Sequence, residues 1–269
     1  MPELPEAEYM VRRLAECAPA TKIREVTILR PSLIAPQSPD ELAATVQGRK
    51  VLGYARRAKN VLLHLDKGWT LRVQLGMTGH FFWVPDARQL PRFTRVWFAL
   101  PGGAAFVFED SRTFGNVHVH RTEELPAVFA AYGPEPLDDA FTWQQLKASA
   151  ARAKGPVKPF LLDQSKVVGL GNIWAAESLF TARIAPHRPL PGLTDPEWKA
   201  LHKAIRKTLA AAIENTFRVT ASADEFPEAD LLACFVYGRS GEPCRRCHEL
   251  IARFVQAGRS TFHCPRCQH

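Results

Sequence analysis

The sequence predicts an α+β chain of two domains, on three observations. Seven short segments between Thr21 and His120 carry the β-branched and aromatic residues of strands, broken by turn signals such as "DKG" and "PGG". Beyond Lys158 the apolar residues recur at helical spacing instead. The last 26 of the 269 residues hold four of the six cysteines, as two Cys-x-x-Cys pairs. A length of 269 residues is generous for one core and comfortable for two.

The first element is a helix. From Pro5 onward Ala7, Met10, Val11, Leu14 and Ala15 form an amphipathic stripe. Pro5 suits the first turn, where no intrahelical hydrogen bond is lost, and Glu6 and Glu8 complement the positive helix end. The strand segments follow as "EVTIL", "KVLGYA", "NVLLHL", "TLRVQL", "RVWFAL", "AAFVFE" and "NVHVH", and their simplest sum is an antiparallel β-sandwich behind a leading helix. His118 and His120 share a face of the last strand, a solvated strand face or, less simply, a metal pair.

Between Tyr132 and Lys158 the pattern changes, through "YGPEPLDD" and "ARAKGPVKP", and the domain boundary is expected there. Helical segments follow: "PFLLDQ", "IWAAESLF", and a helix that starts at Thr194-Asp195-Pro196-Glu197 with the stripe Trp198, Leu201, Ile205 and Leu209. "VVGLGN" joins the first two. Its glycines permit a tight connection, and Asn172 stands where an N-cap belongs, serving either as a cap alone or as part of a phosphate site at the helix dipole.

Cys244 and Cys247, then Cys264 and Cys267, are separated by 16 residues. Four thiolates so spaced close a tetrahedron around one structural Zn2+ and leave no position open for water. Disulfides are the alternative, disfavoured where no secretory signal is read. Cys17 and Cys234 read as buried small hydrophobes, and His248 and His263 as bystanders of a filled site.

Net charge is +8, and the surplus is uneven: residues 1–150 carry 18 basic and 16 acidic side chains, residues 151–269 carry 17 and 11. Such a balance attracts polyanions, either nucleic acid or an anionic membrane surface. No apolar run approaches the ~20 residues that span a bilayer. A cytoplasmic location is expected, nucleoid-associated in a bacterium.

Six stretches then point in one direction. The "PELPE" start, "RRAKNVLL" around Lys59, "QLGMTG" at 74–79, "DSRTFG" at 110–115, "LLDQSKVVGLGNIWAAE", and "VYGRSGEPC" leading into the four cysteines resemble the formamidopyrimidine-DNA glycosylase and endonuclease VIII family, nearly end to end and closer to the first type. The resemblance implies a β-sandwich domain at 1–133, a linker and start of the helical domain at 134–157, a helix-two-turn-helix DNA-binding domain at 158–238 and a zinc finger at 239–269, clasping damaged double-stranded DNA as a monomer. It implies a base-excision repair glycosylase with abasic-site lyase activity by β,δ-elimination. A protein that keeps the clamp but has lost the reaction is the alternative.

In the family the initiator methionine is removed, so Pro2 becomes the nucleophile that attacks C1′. An α-amine titrates near 7.7–8.0, and a helix N-terminus lowers that further. A secondary amine gives an iminium with no N–H proton to lose, a fixed electron sink. The resemblance assigns proton transfers to Glu3, a supporting carboxylate to Glu6, which by itself reads equally as helix-start electrostatics, and a phosphate flanking the lesion to Lys59. Gln74, Lys158, Asn172, Tyr237 and Arg259 look like the family's phosphate contacts. Met77, Arg112 and Phe114 look like the set that fills the hole left by the flipped base.

Three departures are visible. Gln74 stands where a histidine is usual. Thr113 stands where a second arginine is common. The segment "TFRVTASADEFPEADLLACF" at 216–235 has no glycine, although a loop whose backbone closes on 8-oxoguanine needs glycine's freedom. A preference for 8-oxoguanine is therefore not expected.

Overall fold

The structure, a computed structural model, describes residues 2–219 and 233–269. They fall into two compact units, one running to Ala130 and taking in the end of the long helix from Thr216, the other holding the rest.

The first unit opens with α1 (Leu4–Cys17) and continues through β1 (Thr21–Lys22), β2 (Glu25–Ile28), α2 (Pro39–Val46), β3 (Lys50–Arg57), β4 (Asn60–Leu65), β5 (Trp69–Gln74), β6 (Gly79–Val84), β7 (Thr94–Ala99), β8 (Ala105–Asp110), β9 (Asn116–Arg121) and the short α3 (Leu125–Val128). Two antiparallel sheets result, of order β1-β3-β4-β5-β9 and β2-β7-β8-β6. Alternation decides the faces. On β5, Leu71 and Val73 enter the core while Thr70, Arg72 and Gln74 lie on the other face. The inner residues of both sheets form one core with Ala7, Met10 and Leu14 of α1. Four fully buried phenylalanines, Phe81, Phe98, Phe106 and Phe108, anchor it, each worth roughly 2–3 kcal/mol of burial. The free edge of β9 is closed by Gln37, whose amide accepts from Val119 N at 3.0 Å and donates to Val119 O at 2.8 Å.

Strands β1 and β6 and helix α2 are additions to the sequence expectation. Helix α2 carries a complete capping box, Ser38 with Glu41. His118 and His120 do lie on one outer face of β9, with rings 6.0 Å apart, but half-buried: His118 Nε2 meets Ala35 O at 2.7 Å.

The second unit holds α4 (Trp143–Ser149), α5 (Val157–Leu162), α6 (Asn172–Ala182), α7 (Asp195–Val219) and the hairpin β10 (Ala252–Gln256) with β11 (Arg259–His263). The start of α7 is fixed by Glu197, whose Oε2 accepts from Thr194 N at 2.8 Å and from Thr194 Oγ1 at 2.9 Å. The cysteine module packs on α6 through Ala176, Phe180, Val236, Ile251 and Phe262. No helix among the described residues is long and apolar enough to cross a membrane.

Candidate functional site

The amino-terminal group is built by the first turn of α1. Pro2 is buried and leads directly into Glu3, which is fully buried, and Glu6, 6% exposed. Glu3 N donates to Glu6 Oε2 at 2.8 Å, so the helix start folds the second carboxylate back over the chain end. Burial first, and the charge of Glu3 second, push the Glu6 carboxyl up to about 7. A carboxyl in that range gives and takes protons with similar ease near neutral pH. His80, on β6, is held neutral, its pKa lowered to about 4 chiefly by burial.

Lys59 and Gln74 are brought to one region of the five-stranded sheet. Lys59 stands in the two-residue turn between β3 and β4, whose preceding residue Ala58 adopts a positive φ of 55°. Asn60, 1% exposed, braces the turn by donating from Nδ2 to Arg57 O at 2.9 Å. In the ladder Asn60 lies opposite Gln74 on one side, and Asn116 lies opposite it on the other. Arg72 joins the group, donating from Nε to Asn60 Oδ1 at 2.9 Å and from Nη2 to Gln74 Oε1 at 2.7 Å.

Met77, Arg112 and Phe114 lie on two touching loops. All three are exposed, Met77 by 36% and Phe114 by 55%, large apolar side chains presented to solvent. The Arg112 guanidinium lies over the Phe114 ring at 4.8 Å. Asp110, fully buried, organises both loops: it accepts from Thr78 Oγ1, from Arg112 N at 3.1 Å, and from Phe114 N and Gly115 N at 2.9 Å each. Burial alone would raise its pKa; these hydrogen bonds bring it below the ordinary value. Gly76, at φ 62°, permits the contact, since a Cβ there would lie 2.6 Å from Gly115 N and Phe114 C.

In the second unit Lys158 is 1% exposed, and its Nζ meets Asn172 Oδ1 at 2.6 Å, Thr261 Oγ1 at 2.7 Å and Ser260 O at 3.2 Å. Asn172 Nδ2 donates to Ser260 O at 3.0 Å. Both side chains therefore tie α5 and α6 to β11. The helix begins at Asn172 with Gly171 as its cap, so the expected N-cap role of Asn172 is corrected: its side chain spans to the hairpin instead. Arg259 is exposed beside the turn Ala257-Gly258, both at positive φ, and its guanidinium makes no hydrogen bond or ion pair with any described residue. Tyr237 packs on Phe262 at 5.2 Å, and its backbone is held by a residue the sequence reading missed. Glu177, 3% exposed on α6, accepts from Phe235 N, Val236 N and Tyr237 N at 2.8, 2.9 and 2.9 Å. A buried acid in "AAESLF" is the only sequence signal for it.

Cys244, Cys247, Cys264 and Cys267 bring their sulfurs within 4.8 Å of one another. Thiolates about 2.3 Å from zinc lie roughly 3.8 Å apart in a tetrahedron, so this donor set fits Zn2+ in number, softness and spacing. Cys234 is buried as expected, whereas Cys17 is only half-buried. The segment expected to decide lesion preference, 216–235, lies outside the described residues from 220 to 232.

Comparison with known proteins follows the same order along the chain. A profile of the formamidopyrimidine-DNA glycosylase N-terminal domain matches residues 1–117, one of the formamidopyrimidine-DNA glycosylase H2TH domain matches 132–222, and one of a zinc finger found in FPG and IleRS matches 241–269. A formamidopyrimidine-DNA glycosylase of Chloroflexus aurantiacus is 40% identical, covering 100% of this chain and 98% of its own. That of Geobacillus kaustophilus is 38% identical with 100% of both covered. Among solved structures, the Lactococcus lactis protein in complex with abasic-site DNA superposes with a TM-score of 0.91 at 26% identity, covering 99% of each chain. Its complex with FAPY-dG DNA superposes at 0.90 and 27%, covering 99% of this chain and 100% of the other.

Proposed function

Because the chain belongs to the formamidopyrimidine-DNA glycosylase family, we propose that its amino-terminal proline carries out the reaction. The protein is a bifunctional DNA glycosylase and abasic-site lyase of base excision repair, acts on damaged DNA and holds one structural zinc. The observation that carries the assignment of the nucleophile is the first turn of α1, where Pro2 adjoins two buried carboxylates and one of them titrates near 7.

After removal of Met1, the Pro2 nitrogen attacks C1′, the C1′–base bond breaks, and the departing base takes up the proton that the secondary amine loses. Glu3 delivers a proton to the ring oxygen, the sugar opens, and a Pro2–C1′ iminium forms. The iminium withdraws electrons from C2′; loss of the 2′ proton expels the 3′ phosphate, and a second elimination expels the 5′ phosphate. Glu6 supports Glu3 by accepting a proton when Glu3 must be charged. Lys59 places a point charge on a phosphate beside the lesion. Met77 and Phe114 fill the gap in the stack and Arg112 bonds the orphaned partner base, which offsets an unstacking penalty of a few kcal/mol. Tyr237, Asn172 and Arg259 meet phosphates. Lys158, engaged with three internal acceptors, acts by holding Asn172 and the hairpin rather than by direct contact. The enzyme works as a cytoplasmic monomer.

Borohydride reduction of the processed protein with abasic duplex is expected to trap one adduct, mapped by mass spectrometry to Pro2. A protein that keeps Met1 is expected to trap none. An adduct on a lysine, or trapping undiminished with Met1 in place, rejects the assignment. We further read the glycine-free segment at 216–235 as disfavouring 8-oxoguanine; formamidopyrimidines, oxidised pyrimidines and abasic sites are the expected substrates. Parallel single-turnover assays on these duplexes decide it, and fastest release from an 8-oxoguanine–cytosine pair would refute it.

A further inference from the structure

The reading of Gln74 as a DNA contact leaves open how an uncharged side chain stands in for a cation or imidazole, and the sheet around it supplies an answer. Arg72 and Gln74 are two residues apart on β5 and so share its outer face, flanked by Asn60 on β4 and Asn116 on β9. Arg72 Nη2 donates to Gln74 Oε1 at 2.7 Å, and Asn116 Nδ2 donates to the same oxygen at 2.7 Å. A guanidinium has donors only, so the amide atom facing it must be the oxygen. Both lone pairs of that oxygen are thereby occupied. The amide nitrogen, with two donor hydrogens, has no partner among the described residues and is not among the buried unpaired atoms. Asn116 holds its place at a penalty, because its own Oδ1 is buried without a partner among the described residues.

We propose that Arg72 and Asn116 are positioning residues that lock the Gln74 amide with its oxygen toward the sheet and its NH2 presented as a neutral, pH-independent donor to a DNA phosphate. The inference rests on the assignment of Gln74 to DNA binding. Arg72 also donates from Nε to Asn60 Oδ1 at 2.9 Å, which fixes the guanidinium between β4 and the Gln74 amide. The positive charge of Arg72 polarises the amide through its oxygen and strengthens the outward N–H donors.

Binding to a duplex carrying a tetrahydrofuran abasic analogue, titrated from low to high salt, tests this. Gln74→Ala, Arg72→Met and Asn116→Ala should each weaken binding, about tenfold for a lost hydrogen bond to a charged group. The log–log salt slope should stay that of the native protein in all three, since no cation leaves a phosphate. If Arg72 itself met a phosphate, Arg72→Met would reduce the slope by about 0.9, and the proposal would fail. The double variant Arg72→Met/Gln74→Ala should bind no worse than the weaker single one; additive losses would equally overturn the coupling. Arg72→Lys, which keeps a donor for Gln74 Oε1, should recover most of the loss. Should Arg72→Met fail to fold, Asn116→Ala with Gln74→Ala gives the same cycle. Native binding by Gln74→Ala would sink its contact role, whereas the Pro2 assignment is judged separately by the trapped adduct.

Discussion

Glu6 shows how far burial can move a single carboxyl. Its folded pKa of about 7 lies above its ordinary value of 4.5 because burial, and then the charge of Glu3, disfavour the anion. Between those limits the folded chain binds more protons than the unfolded one, so its contribution to stability is fully present below pH 4.5 and is lost as pH rises through 7. The shift bounds that loss at on the order of 3 kcal/mol. Glu6→Gln should therefore gain stability relative to the native protein as pH is raised from 4 to 8, in urea unfolding at several pH values. Identical pH slopes for the two proteins would show that Glu6 is not held as described. The same substitution should remove a step near pH 7 from the single-turnover rate profile. Residues of this kind were legible in the sequence because Pro2, Glu3 and Glu6 are neighbours along the chain and can be read as one motif. Arg72, Asn116 and Glu177 were not, because Asn60 lies across the strand ladder from Arg72, Gln74 across it from Asn116, and the partners of Glu177 are 58 to 60 residues away, and lateral register is not written in local pattern.

At the scale of elements, the two loops that carry Met77, Arg112 and Phe114 depend on one acid. Asp110 sits at the end of β8 and receives three backbone N–H groups and the Thr78 hydroxyl, so the loop proposed to wedge into DNA is pinned at its base. Asp110→Asn turns one acceptor oxygen into a donor facing donors, at a cost of roughly 2–4 kcal/mol. A lower thermal midpoint is expected, together with a weaker rise in 2-aminopurine fluorescence when that base is placed opposite the lesion. A normal fluorescence rise in the variant would mean that the wedge assembles without Asp110. Strand β6 illustrates what pattern reading misses here. Phe81 enters the core while Phe82 joins a satellite cluster with Val84, Trp97 and Val107, so "GHFFWV" is apolar on both faces and shows no alternation. The capping box of α2 was present in the sequence but lay inside a run dominated by strands. The strands with one polar face, such as "TLRVQL" and "NVHVH", were readable for the opposite reason.

For the whole molecule, the zinc module separates binding from chemistry. A segment of 29 residues cannot close a core of its own, and its four thiolates hold the hairpin that presents Arg259 and receives Lys158 and Asn172. Its metal has no open position and so takes no part in bond breaking. Removing zinc with a chelator should release four titratable thiols and unfold the module. DNA affinity should then fall, and the salt slope should fall by about 0.9 for loss of the phosphate contact proposed for Arg259. At enzyme concentrations high enough to restore binding, abasic DNA should still be trapped at Pro2, since the first turn of α1 and the sandwich beneath it need no metal. The opposite outcome, normal binding with cleavage lost, would place zinc in the reaction and reverse the division of labour. The net charge of +8 gives the same division a second readout. Diffuse attraction of a basic surface is screened by salt, whereas the adduct proposed at Pro2 is covalent, so rising ionic strength should lower the yield of encounter without changing the rate constant measured at saturation.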